Sequence, residues 1–510
     1  MTTPTPRRAI LVLGDQLDLD AAVLADGDPA RDVVVMTEAR EEATYVASHK
    51  KRLVLFFAAM RHFAEALRAR GWTVHYTRID ADATGDAPAT SLAEGAARVE
   101  AESWHVTEPG DWRVRAALEA RLGPLVVHDD THFLSTPRQF AAWREGRKRF
   151  ILEDFYRMMR RETGWLMADG KPVGGAWNFD ADNRKSFGRA GPGETPGRPS
   201  SAPDAITREV MQAVERLFPD APGSTEGFDE PVTREGALAH LDQFVEKRLP
   251  RFGDYQDAIA TGYPTLYHAR LSAALNLKLL NPREVCERAM EAWEAGAVPL
   301  NAVEGFVRQV LGWREFVRGV YFTEMPDYAG RNGLDARHDL PALYWTGETE
   351  MACLSDAMGQ LIREGYAHHI QRLMVLGLFS LLWGAHPYRF HEWHMAMYLD
   401  AVDWVSLPNA LGMSQHADHG VVGTKPYTAS GNYISKMSDC CRRCRYDPKA
   451  ATGGNACPFT TLYWDFLDRH RDRFAGNMRM GMQYRNLARK PAGELTEIRR
   501  CAAALRRDLV

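Results

Sequence analysis

Along the first quarter of the chain, short apolar runs alternate with longer segments of helical period. AILVLG, DVVVMTEA, WTVHYTRI, SWHVTEP and PLVVHD have strand length, and between them SHKKRLVLFFAAMRHFAEALRARG and RVRAALEARLG repeat their apolar positions as helices do. Strands separated by helices of this length predict βαβ units and a parallel sheet, here an α/β domain over residues 1–135. Ligands of such sheets sit beyond the carboxyl ends of the strands, which selects Gly14, Asp15 and Gln16 after the first strand and Glu38 to Tyr45 after the second. The glycine pattern of a nicotinamide dinucleotide site is missing, so that site is not predicted.

A helical stretch, RFILEDFYRMMRRETGWLM, leaves this domain, and GRAGPGETPGRPSSAPDA (188–205) has the Gly, Pro and Ser content of a long connection. Residues 136–230 are therefore read as a helix and an interdomain connection. Beyond them the strand pattern fades. FVRQVLGWREFVRGVY, SDAMGQLIREGYAHHIQRLMVLGLFSLL and FHEWHMAMYLDAVDWVSL carry helical periodicity, which predicts a helical domain over 231–510. The longest apolar stretch, MVLGLFSLLWGAH, falls short of the roughly 20 residues of a bilayer span and predicts a buried core helix. At the amino terminus AILVLG is too short for a signal-peptide core and runs into charge, so a cytoplasmic location is expected.

Composition adds little beyond size: 510 residues, 45% hydrophobic and 25% charged, suit a large soluble protein of several cores. The net charge of -4 points to no partner, but REGRKRF (144–150) and RHRDRFAGNMRMGMQYRNLARK (469–490) are locally basic with interleaved aromatics. Such stretches suit a polyanion or, more blandly, a solvated helical face. Four of the seven cysteines fall in DCCRRCRYDPKAATGGNACPF. Cys441 and Cys444 form C-x2-C, and Cys457 follows after twelve residues; zinc and an iron–sulfur cluster both satisfy that spacing. A fourth ligand would come from Cys353, Cys286, Cys501 or Cys440.

In the helical half, Glu304, Arg308 and Gly312 share one helix face, where the glycine admits either a planar ligand or a tight helix crossing. Reading 358, 361, 362, 365, 366, 369 and 373 as one inward stripe turns His369 toward the core, one turn before Arg372. A buried guanidinium requires a carboxylate or a ligand anion, and Asp400 and Asp403 are the candidates. Trp393, Met397, Asp400 and Trp404 are expected along one face of a single helix.

Taken together, these segments resemble the photolyase/cryptochrome family, specifically its iron–sulfur bacterial branch, the prokaryotic 6-4 photolyases. The resemblance spans nearly the whole chain and rests on GDQL (14–17), EEATYVASHKK (41–51), GGAWNFDADNR (174–184), LNAVEGFVRQVLGWREF (300–316), YAHHIQRLM (366–374), WVSLPNALGMSQ (404–415), GTKPYTASGNYI (423–434) and the cysteines. It implies a Rossmann-like antenna domain holding 6,7-dimethyl-8-ribityllumazine against Gly14, Asp15, Gln16, Glu42 and Tyr45. It also implies a helical domain binding FAD through Tyr267, Leu271, Ser272, Arg308, Arg314, Arg372, Asp400, Asp403 and Asn409, with Arg372 paired to Asp403. Cys353, Cys441, Cys444 and Cys457 match the ligands of a 4Fe-4S cluster, which leaves Cys440, Cys286 and Cys501 as bystanders. His368, His369, Gln309 and Tyr427 match the lesion pocket. Trp393 and Trp345 match the electron chain, while His394 departs from the tyrosine of relatives. The implied activity is light-dependent repair of 6-4 photoproducts by a monomer acting on UV-damaged DNA; the alternative is a cryptochrome-like blue-light receptor.

Overall fold

The computed structural model describes residues 6–80 and 87–509. Five parallel strands, β1 (Arg8–Leu11), β2 (Val33–Thr37), β3 (Thr73–Thr77), β4 (Ser103–Thr107) and β5 (Leu125–His128), pair in the order β3-β2-β1-β4-β5. Each arises from one of the apolar runs predicted above. Residues alternate between the two faces with the strand period of two. Ile10, Val12, Val34 and Met36 join the main core beneath the helix Lys50–Ala69, while Ala9, Leu11, Val33, Val35 and Val106 pack on Ala93, Ala96, Val114 and Leu118. Strand order reverses between β1 and β4, which makes the carboxyl edge at that point the expected ligand crevice.

The connection from β5 does more than link. Its helix Ala205–Leu217, capped by the Asp204 side chain, packs back against Lys50–Ala69, and the buried Arg61 reaches Glu38 at 2.7 Å and Asp80 at 2.9 Å beneath it. From Arg234 onward every element longer than a bridge is helical, and one continuous core runs from the sheet into this half. Among the described residues, no helix is long and apolar enough to cross a membrane.

Two expected helices are broken. The segment 351–377 is not one helix: Ala352–Glu364 ends on Gly365 in the left-handed conformation, φ 62°, and a new helix starts only at His369. Likewise Pro387–Met397 ends before Tyr398, and a separate helix opens at Asp403. Both breaks redirect side chains that continuous periodicity would have placed elsewhere.

His49 caps Lys50–Ala69 by accepting from Lys51 N at 3.1 Å, while its Nε2 meets the Ile362 carbonyl at 2.9 Å, tying the two halves together. Burial pushes its pKa down to about 4, and burial does the same to His470. An unfolded histidine binds its proton near its ordinary value of about 6.5. The folded state prefers both rings neutral, so this stability is whole above pH 6.5 and is lost as pH falls toward about 4. The urea midpoint should therefore drop between pH 7 and pH 4.5, with a smaller drop in His49→Gln; equal drops would show that His49 is not a titrating group.

Candidate active site

A cavity of about 530 Å³ opens among the helices of the second half. Three of the helices around it widen into a π-helical turn where they face it: Arg308–Arg314, Arg372–Gly377 and Pro408–Ser414. Such turns are rare and recur at functional sites, because the extra residue per turn displaces side chains toward a ligand.

Arg372 meets Asp400 through two bonds of 3.0 Å, donates from Nε to the Ala367 carbonyl at 2.6 Å, and lies 4.1 Å from the Tyr398 ring centre. Burial alone would raise the Asp400 pKa, but Arg372, with help from the Ser272 hydroxyl, outweighs it and holds the carboxyl below its ordinary value. Asp403 is therefore not the partner of Arg372. The chain leaves its helix after Met397, so Asp403 points away from this cavity, accepts from the Tyr321 hydroxyl and lies 3.0 Å from His391 Nε2.

Arg308 pairs with Asp180 and lies 3.3 Å from Glu304, whereas Gly312 serves the helix crossing: an added Cβ would sit 3.2 Å from the Tyr156 ring. Arg314 is poorly satisfied. Its Nη2 is 3.4 Å from the Leu275 carbonyl, its charge stacks on Phe133 at 4.1 Å and Nη1 lies 3.5 Å from the Glu315 carboxylate, but Nε and Nη1 have no hydrogen-bond partner, and burial lowers its pKa to about 10. A buried cation with open donors fits an anionic ligand. Leu271, Ser272, Gln309, Asn409 and Tyr427 also line the cavity. Asn409 is fixed by Trp313 Nε1 at 2.9 Å and by the Val405 carbonyl at 2.8 Å.

Several expected residues stand elsewhere. Tyr267 is buried outside the lining, where its hydroxyl accepts from Arg251 at 2.7 Å. His369 does not face the core: the break at Gly365 leaves its side chain 55% exposed at the cavity rim, 3.5 Å from Asp257. His368 is the buried one, stacked on His268 at 4.3 Å, and burial pushes both rings well below their ordinary pKa, so they are neutral. Trp393 is buried behind Phe390, which lines the cavity, and Trp345 reaches the surface.

A second cavity, about 110 Å³, lies at the strand crevice. Gly14, Asp15, Glu42 and Tyr45 line it together with Arg52, Asp111 and Asp403. Gln16 does not; it turns inward and donates to the Thr107 carbonyl at 2.9 Å. Arg113 clamps Glu42 with bonds of 2.9 and 2.7 Å and covers the Tyr45 ring. Burial, then the charge of Asp403, pushes Asp111 up to about 6.

Cys353, Cys441, Cys444 and Cys457 converge on a third, small pocket. Cys440 lines it too, so the structure does not set it aside as it does Cys286 and Cys501. A single tetrahedral zinc would hold its thiolates about 3.8 Å apart. Among the described residues, no three cysteine sulfurs lie within 4.8 Å of one another, a looser spacing than a bound zinc ion would impose.

The family model for deoxyribodipyrimidine photo-lyase-related proteins matches residues 10–229. A (6-4) photolyase of Agrobacterium fabrum (strain C58 / ATCC 33970) is 47% identical over 506 residues, covering 98% of this chain and 99% of the relative. The chain belongs to the photolyase/cryptochrome family. Solved structures agree on the fold: a bacterial class III photolyase from Agrobacterium tumefaciens (14% identity, TM-score 0.55, covering 100% of this chain and 99% of that one) and a Synechocystis sp. PCC6803 cryptochrome (14%, 0.55, 100% of both).

Membership in the photolyase/cryptochrome family implies a flavin, and the large cavity, with its open Arg314 donors and aromatic walls, fits one. Sequence reasoning missed three residues of this photolyase fold. Asp111 was within reach, since TEPGDW follows β4 as GDQ follows β1. Asp180 sat unremarked inside GGAWNFDADNR, and His268 beside Tyr267 had no periodic signal.

Asp400→Asn should cost about 3 kcal/mol of stability, as expected when one partner of a buried pair is removed, and should release flavin on purification. Asp403→Asn should retain flavin. Urea titration and flavin absorbance check this, and flavin loss confined to the Asp403 variant would reverse the assignment.

Proposed function

We propose that this chain is a DNA photolyase that repairs 6-4 photoproducts in UV-damaged DNA under blue light. The observation that carries this reading is the composition of one cavity, with His369, Gln309 and Tyr427 among its lining and the Arg372–Asp400 pair and open-handed Arg314 within. The 47% identity to a (6-4) photolyase supports it. FAD would be held by Leu271, Ser272, Arg308, Arg314, Arg372, Asp400 and Asn409. Once bound, reduced and excited by light, it supplies the electron that drives bond rearrangement in the lesion.

The protein's own groups do the rest. Arg314 offers unpaired donors to the phosphates, and the locked Asn409 amide presents its remaining N–H to the ring system. A damaged base leaves the duplex cheaply because its pairing is already lost. At the rim, His369 moves the proton that 6-4 repair requires, and Asp257, 3.5 Å from Nε2, orients its ring. His368, buried and neutral, backs the pocket. Arg479 donates to Thr424 on the loop that carries Tyr427, which brings the second basic stretch to the cavity and supplies phosphate contacts.

The strand-end cavity suits 6,7-dimethyl-8-ribityllumazine, since Asp15, Glu42 and Asp111 are acceptors for ribityl hydroxyls and repel a phosphorylated chain. Cys353, Cys441, Cys444 and Cys457 would hold a 4Fe-4S cluster, a reading supported by their convergence on one pocket.

Purified protein should show flavin and broad iron–sulfur absorption with iron near four per chain, and Cys441→Ser should lose most of that iron; zinc instead of iron would refute the cluster. Reduced protein under blue light should restore a 6-4 lesion in an oligonucleotide, with binding that weakens steeply in salt. His369→Asn should lower that rate about 10²- to 10⁴-fold, the range of general acid catalysis, with flavin content unchanged. No repair by reduced wild-type protein would favour the photoreceptor reading.

A further inference from the structure

Two methionines stand in solvent beside the mouth of the large cavity. Met478 is 96% exposed and Met482 67%, while no other large apolar side chain among the described residues exceeds 46%. Scattered apolar groups are ordinary on a surface, but two thioethers held this far into water on one short turn add little to the core. The turn that presents them is pinned. Met480, between them, is 0% exposed and joins the main core. Asn477 accepts from the Arg479 backbone N–H at 3.0 Å through its side-chain oxygen and donates from its amide to the Thr424 carbonyl at 3.4 Å. The Arg479 guanidinium donates to the Thr424 hydroxyl. Met478 is thus held through both neighbours against the loop that leads to Tyr427, and Tyr427 lines the cavity. Its ring folds back along that loop, where a Cβ added to Gly423 would meet it at 3.7 Å. Burial raises the pKa of the Tyr427 hydroxyl and the charge of Arg479 opposes the rise, so the guanidinium also stands near the mouth. Arg485 and Arg489, on and just after the helix Gly481–Ala488, are exposed as well.

We propose that Met478 and Met482 form an apolar wedge that enters the base stack of duplex DNA at the lesion and fills the space the extruded bases leave. Extrusion strips the flanking bases of a stacking partner, and proteins that kink or open the duplex insert apolar side chains, methionine among them, between base steps. Methionine suits the task because it is unbranched and polarizable and adapts to an irregular gap. The neighbouring arginines take the phosphates, which fixes the position of the wedge on the duplex without reading its sequence. The inference rests on the repair reading, since it names the group that parts the duplex so that the lesion reaches His369 and Tyr427.

Opening is measured in the dark, apart from repair, on flavin-loaded, cluster-containing protein. The duplex carries a 6-4 lesion with 2-aminopurine next to it, a base whose fluorescence rises when it unstacks. Wild type should brighten the probe. The Met478→Ala/Met482→Ala variant should brighten it less and bind the lesion duplex at least about fivefold more weakly, the low end of the cost of one lost stacking contact. It should bind a single-stranded lesion as wild type does, because no duplex has to be parted. The Met478→Leu/Met482→Leu variant keeps the apolar bulk and should retain opening. Both side chains are exposed, so flavin content and melting temperature should match wild type in each variant. The proposal is overturned if wild type leaves the probe dark, if the alanine variant matches wild type on the duplex or loses equally on single strands, or if leucine fails as alanine does. Repair of the single-stranded lesion under blue light keeps the two claims apart: no repair by wild type removes the repair reading, while the dark fluorescence still decides the wedge.

Discussion

A guanidinium enclosed by helices must find an anion, and the double bond between Arg372 and Asp400 meets that requirement across the floor of the large cavity. The pair joins the start of one helix, Arg372–Gly377, to an irregular stretch that would otherwise have no reason to stay in place. Asn276 donates to the Asp400 carbonyl at 2.8 Å, and Tyr398 lies flat under the arginine, so three segments distant in sequence are pinned at one point. The π-helical turns around the cavity sit on this frame. Such turns sacrifice regular bonding, and they persist where neighbouring contacts over-determine them.

Much of the fold was legible because it depends on period. The five strand runs of the first domain and the helix over Lys50–Ala69 emerge where apolar spacing places them, since a two-faced sheet and a one-faced helix impose different repeats. The crevice at the strand ends followed from topology, and Asp15, Glu42 and Tyr45 stand there, while Gln16 turned to bind the neighbouring strand. The four cysteines expected as ligands do converge, and Cys440, a candidate by spacing that the resemblance sets aside, lines the same pocket.

Periodicity failed where a helix stopped unannounced. Gly365 can sit inside a helix or end one, and here its left-handed backbone ends it, turning His369 outward and His368 inward. Between Met397 and Asp403 no proline or glycine marks the break, so the residues alone leave Asp400 and Asp403 both open as partners of Arg372, and the pairing with Asp403 comes only from the resemblance. The buried pair selects Asp400 through three-dimensional closure, which no local pattern encodes.

That break has a further effect. Asp400 and Val405 line the large cavity while Val402 and Asp403 line the strand-end cavity, so one short segment contributes wall residues to both chambers. Remodelling either chamber from this side means carving the same few residues, and the two compartments are bound to change together.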